Sequence, residues 1–163
     1  MSLGFDSEAA FCRAAAGAAV SWRGAGIPRL VAGLAGELGV GKTTFVRALL
    51  SGLGHAGRVP SPTYTLLEHY EIGGLTVVHL DLYRLAEPRE IEFLGLRDWL
   101  ALPEVWLLAE WPARGGAFAD ALDLELGIGA DADERRSISP RALTEVGRKA
   151  LDAWLGTDFK YSL

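Results

Sequence analysis

Gly36-Glu37-Leu38-Gly39-Val40-Gly41-Lys42-Thr43-Thr44 fits the phosphate-loop pattern G-x-x-x-x-G-K-S/T, with Gly39 as a third glycine inside the loop. Glycines let the backbone turn through positive φ and approach a phosphate closely, so that successive N–H groups point inward as an anion nest. Lys42 would then reach the β- and γ-phosphates as a point charge, and the Thr43 hydroxyl would ligate Mg²⁺. The flanks agree with this. Residues 29–35 form a short apolar run that suits a buried parallel strand, and residues 45–50 read as a helix. Strand, glycine loop and helix follow in the required order, whereas an ordinary glycine-rich turn has no need of it.

Bulk composition bounds the rest. A chain of 163 residues with 50% hydrophobic content buries one proper core and is too short for two domains of usual size, so a single domain over 1–163 is expected. The longest apolar runs, such as Val105 to Ala109, fall far below a membrane span, and the first residues lack the basic start and apolar core of a signal peptide. A cytoplasmic location follows as the expectation. The one cysteine, Cys12, allows no internal disulfide and reads as a core residue of the first helix. A net charge of −5 argues against a broad electrostatic footprint on RNA or DNA, so any nucleic acid would be held by a partner. The sequence contains neither Asn nor Gln. Without Asn the guanine-reading Asn-Lys-x-Asp motif is impossible, which makes adenine the expected base.

Along the chain, Ser7 and Glu8 cap an alanine-rich helix running to Trp22, and Phe5 and Asp6 read as its lead-in. After the loop helix, two prolines stiffen Val59-Pro60-Ser61-Pro62-Thr63-Tyr64-Thr65. Two readings stand for this segment: a rigid turn, or a switch-like loop sensing the γ-phosphate through Ser61, Thr63 or Thr65. Tyr64 to Ile72 and Leu75 to Leu80 flank Gly73-Gly74, a strong hairpin signal. The predicted fold is therefore α/β, a P-loop NTPase-like three-layer sandwich. Its sheet is mostly parallel, with an antiparallel hairpin inserted after the P-loop helix.

Two carboxylates compete for the metal side. In His79-Leu80-Asp81-Leu82-Tyr83-Arg84, the period of two puts His79, Asp81 and Tyr83 on one face, and Asp81 lies near a carboxyl strand end, where α/β sheets place ligands. A surface salt bridge between Asp81 and Arg84 is the bland alternative. Val105 to Ala109 is an apolar strand that Glu110 closes, followed by Trp111 and Pro112, and an acidic residue ending a buried strand is the form of a Walker B element. Residues 87–100 suggest one or two short helices with a break at Gly95. Two further strands are expected over 121–128 and 136–139, then a closing helix over 140–155 and a loosely ordered tail over 156–163.

Four motifs in order, the phosphate loop, Ser61-Pro62-Thr63-Tyr64-Thr65-Leu66, His79-Leu80-Asp81-Leu82-Tyr83-Arg84-Leu85 and Glu110-Trp111-Pro112, closely resemble the bacterial TsaE (YjeE) family. Departures are small: Glu37 stands where Asp is usual, and Ala109 where the family has a larger aliphatic. The resemblance implies a small ATPase of tRNA threonylcarbamoyladenosine biosynthesis that binds ATP and Mg²⁺ and hydrolyses ATP weakly alone. It also implies partnership with the TsaB and TsaD proteins and contact with tRNA only through that complex. By motif, it gives Lys42 to the phosphates, Thr43 and Glu110 to Mg²⁺, Asp81 to hydrolysis, and Trp111 and, more loosely, Arg136 to the nucleotide. Two other classes fit a P-loop chain of this size: a small-molecule kinase, and a binding module gated by ATP occupancy without required turnover.

Overall fold

A computed structural model describes residues 1–158, and the part of the expected loose tail from 159 to 163 lies outside them. Seven strands form one sheet in the order β1-β7-β6-β2-β5-β4-β3. They are β1 (Leu3–Phe5), β2 (Arg29–Ala35), β3 (Leu67–Ile72), β4 (Leu75–Asp81), β5 (Val105–Glu110), β6 (Leu124–Ala130) and β7 (Arg136–Ala142). The helices are α1 (Glu8–Gly24), α2 (Lys42–Gly52), α3 (Leu96–Leu100) and α4 (Glu145–Asp158), with 3₁₀ segments at Pro88–Leu94 and Pro112–Ala121.

The four central strands β6, β2, β5 and β4 run parallel, and the antiparallel pairs lie at the two edges. Burial on both faces explains why β5 reads as an unbroken apolar run ending in Glu110, and β4 as a mostly apolar one, interrupted by Thr76 and His79, ending in Asp81. Leu75 and Val77 of β4 pack with Trp106 and Leu108 of β5 against α1, α2 and α4, while Val78, Leu80 and Leu107 face the 3₁₀ segments and α3. The result is a three-layer sandwich. Its larger core holds Trp22, Trp106 and Trp154, all fully buried, and each indole N–H donates to a backbone carbonyl, of Ala150, Ile27 and Ala14 respectively. A buried indole without an acceptor would forfeit part of what its apolar area contributes.

Ser7 caps α1 as expected, its hydroxyl accepting from the Ala10 N–H at 3.1 Å. The hairpin also stands, with Gly73 and Gly74 both at positive φ, as a type I′ turn requires. Its first strand begins only at Leu67, because residues 62–65 form turns and Leu66 sits at φ 64°. Three further boundaries differ from the sequence reading. Phe5 is not a mere lead-in; with Leu3 and Gly4 it pairs with residues 136–138 of β7 as an edge strand. The strand expected from Ala121 starts at Leu124, its first residues being taken by the second 3₁₀ segment. Pro140 does not open the closing helix: β7 runs through it to Ala142, and α4 spans Glu145–Asp158, so the helix continues into the stretch read as tail. Beyond Ile138, β7 has no β1 residue beside it, and a proline is tolerated where a strand is an edge.

Candidate nucleotide and metal site

The phosphate loop joins the end of β2 to the start of α2, at the carboxyl ends of the parallel strands. Two of its glycines are required by geometry. Gly36 sits at φ 146°, and a Cβ there would lie 2.1 Å from the Ile128 carbonyl oxygen; Gly41, at φ 112°, would drive one to 2.6 Å from Arg136 Nη1. Leu38 projects to solvent at the loop tip, while Val40 is buried against the larger core.

Beside the loop opens a cleft of about 410 Å³, lined by residues of the loop and of α2 (Lys42, Thr43 and Thr44 among them) and by Ser61, Thr63, Asp81, Tyr83, Arg84, Glu110 and Trp111. Strand register builds its floor. Leu34 at the end of β2 and Asp81 at the end of β4 both lie level with Glu110 of β5, so the two carboxylates sit side by side and Glu110 adjoins the P-loop strand. Both are buried. Thr43 Oγ1 donates to Glu110 Oε1 at 2.7 Å. Asp81 lies one strand farther from the loop; Oδ1 accepts the Tyr83 N–H at 3.0 Å and Oδ2 accepts from Thr63 Oγ1 at 3.3 Å. Since that bond uses the only Thr63 hydroxyl hydrogen, Ser61 Oγ, 2.7 Å from Thr63 Oγ1, is the donor of its pair. A chain of hydrogen bonds thus runs from the proline-flanked loop to Asp81.

Lys42 is buried, with Nζ donating to the carbonyls of Gly36 and Glu37 at 2.8 and 2.7 Å and lying 4.1 Å from the centre of the Trp111 ring. Burial pushes its pKa below the ordinary lysine value, against the opposing pull of Glu110, Asp81 and Glu37. Trp111 itself sits at φ 58° and stacks on Tyr83, ring centres 4.9 Å apart. Holding a tryptophan in the left-handed region costs about 1–2 kcal/mol, which its place over the lysine and its N–H bond to the Leu34 carbonyl offset. On the other side of the loop, Arg136 packs against Gly41 and over the Phe11 ring. Its Nη2 pairs with Glu8 at 2.8 Å, whereas its buried Nη1 has no partner among the described residues.

The structure gathers most of the residues singled out from sequence. Gly36, Glu37, Val40, Arg136 and Thr65 are not among the cleft's lining residues; Arg136 lies across the loop, and the Thr65 hydroxyl donates to Glu68 Oε1 at 2.8 Å on the exposed side of the hairpin. The imagined Asp81–Arg84 salt bridge gives way to Arg84 lying over the Tyr64 ring, 4.6 Å from its centre. Sequence reasoning overlooked the Tyr83–Trp111 stack and the contact between His79 and Glu110. The first carries no sequence signal, and the only trace of the second is that His79 shares a face with Asp81.

The donor chemistry suits a triphosphate with a hard divalent cation. Thr43 and Glu110 offer oxygen ligands side by side, Lys42 and the partnerless Arg136 N–H flank the loop, and no group of three or more His, Cys, Asp or Glu stands ready to cage a metal among the described residues. Mg²⁺ is usually held in this way, by one or two protein oxygens with phosphate and water completing its shell.

Comparison with known proteins gives a consistent picture. Residues 9–138 match the family model described as "Threonylcarbamoyl adenosine biosynthesis protein TsaE". The tRNA threonylcarbamoyladenosine biosynthesis protein TsaE of Haemophilus influenzae is 43% identical over 121 residues, covering 74% of this chain and 75% of that protein. Its Bacillus subtilis counterpart is 35% identical over 116 residues, covering 71% and 70%. The crystal structure of Bacillus subtilis YdiB superposes with a TM-score of 0.74 over 97% of this chain and 95% of that one, at 24% identity, a likeness of fold.

Proposed function

Since the chain belongs to the TsaE family, we propose that it binds ATP with Mg²⁺ and hydrolyses it slowly in support of threonylcarbamoyladenosine modification of tRNA. In this reading it works with TsaB and TsaD proteins and meets tRNA only through them, in keeping with its net charge of −5. The observation that carries the reading is the Thr43–Glu110 hydrogen bond beside Lys42 at the end of the P-loop strand. It is the pairing that metal-dependent phosphate chemistry needs from a P-loop protein.

Lys42 leaves the Gly36 and Glu37 carbonyls for phosphate oxygens, and the backbone amides of residues 37–44 close around the same group. A bound Mg²⁺ would supply positive charge against the negative charge that develops on the phosphate. Thr43 and Glu110 hold that position; Trp111 and Arg136 border the nucleotide. Asp81 orients the attacking water. Each of its oxygens accepts a hydrogen bond within the chain, from the Tyr83 N–H and the Thr63 hydroxyl, so turnover in isolation is expected to be slow and a partner has something to release. The Ser61–Thr63 link makes the proline-flanked loop the natural route for that release.

Nucleotide titrations with and without Mg²⁺ test the division of labour, together with hydrolysis and modification assays in the presence of the partner proteins. Glu110→Ala is expected to weaken Mg²⁺-dependent binding. Asp81→Ala is expected to keep binding and lose turnover and modification, a selective loss of transition-state stabilisation. The opposite pattern would mean that the two carboxylates exchange roles.

A further inference from the structure

His79 has no part in the reading above, yet it is the most deeply buried polar group near the cleft. It is fully enclosed on β4, two residues before Asp81 and on the same face, between Leu108 of β5 alongside and Glu110 above. Its Nε2 lies 2.8 Å from Glu110 Oε1, the same oxygen that accepts from Thr43 at 2.7 Å. A carboxylate only accepts, so Nε2 carries the proton. Nδ1 has no partner among the described residues.

Both hydrogen bonds therefore converge on one oxygen of Glu110. They restrain the carboxylate and leave Oε2 without a hydrogen-bond partner among the described residues. A histidine serving only as core filler is poorly explained here. Leu75 and Val77 fill the preceding positions of the same strand face with apolar side chains, and an apolar residue at 79 would carry no desolvation cost.

We propose that His79 is a positioning residue for Mg²⁺: it holds the Glu110 side chain in the orientation that accepts the ion, and so sets how much Mg²⁺ the protein needs to bind nucleotide. The inference rests on the metal-side role of Glu110. Hydrogen-bond partners of ligating groups typically change metal affinity by roughly 10–100-fold when removed.

The test is the Mg²⁺ concentration that half-saturates binding of a fluorescent ATP analogue, measured beside binding of the same analogue in EDTA. His79→Phe keeps a flat ring, somewhat larger than imidazole, and removes the donor; His79→Leu makes the same comparison should the phenylalanine variant not fold. Either is expected to raise the half-saturating Mg²⁺ at least tenfold while leaving binding in EDTA within about twofold. His79→Gln, whose amide nitrogen reaches the place of Nε2, is expected to recover most of the loss. In a Glu110→Ala background, His79→Phe should add nothing. An unchanged Mg²⁺ requirement in His79→Phe, with Glu110→Ala clearly shifted, overturns this inference alone. Equal weakening with and without Mg²⁺ overturns it too, since that is the mark of a purely structural role. A wild-type Mg²⁺ requirement in Glu110→Ala overturns the metal-side reading and this inference with it.

Discussion

Replacing Lys42 by alanine separates what the lysine does for nucleotide from what it does for the fold. In the free protein its ammonium makes two charge-assisted bonds to the Gly36 and Glu37 carbonyls and a ring contact with Trp111. Those contacts do not translate into stability, because the lowered pKa shows that the surroundings on balance disfavour the ammonium relative to water. Both carbonyls belong to a loop beside the open cleft and can take water in its place. What folding loses is mainly the packing of the three methylenes beyond Cβ, at most about 2.5 kcal/mol at roughly 0.8 each. For a domain of this size 1 kcal/mol moves the melting temperature by about 2–4 °C, so the fall should stay under roughly 10 °C. Nucleotide binding is lost as well, because phosphate oxygens carry charge and the carbonyls they displace do not. A loss of about 1.5–3 kcal/mol corresponds to a rise in Kd of roughly 10- to 150-fold. Thermal melting and fluorescent-nucleotide titration of the same preparation give both quantities. A folded Lys42→Ala protein with wild-type affinity for ATP would refute the phosphate role, and a collapse in melting temperature far beyond 10 °C would show that the lysine is chiefly structural.

Other expectations follow from particular residues. Unlabelled ATP should displace a labelled adenine nucleotide far better than GTP, given that the sequence has no Asn for a guanine-reading motif; equal potency would contradict this. Nucleotide affinity should decline on the alkaline side at a pH below that of an ordinary lysine, because burial lowers the Lys42 pKa and the phosphate-binding charge disappears as pH rises through it; the profile of Kd against pH, with Lys42→Arg as the control that keeps its charge, measures this. Gly147→Ala should destabilise by more than about 3 kcal/mol, because its Cβ would fall 1.7 Å from the Asp123 carbonyl oxygen, a backbone atom that cannot step aside without lifting α4 off β6; urea unfolding would reveal it.

Sequence alone determined the features whose physics is local. The glycine spacing, the Ser7 cap and the Gly73-Gly74 turn are each specified by φ preferences or side-chain reach within a few residues, and each stands where the sequence put it. Glu110 was legible for the same reason, as a carboxylate closing an apolar run. Only the tertiary structure could decide which distant residues meet. Thr43, His79, Asp81 and Glu110 are brought together by the register of three parallel strands, and Glu8 reaches Arg136 because β1 folds back beside β7. Parallel pairing joins residues separated by whole helices, and no short-range preference records it. The same cause misled the reading of Pro140: locally it signals the start of a helix, yet it lies in a strand because pairing with β6 prevails where β1 has already ended.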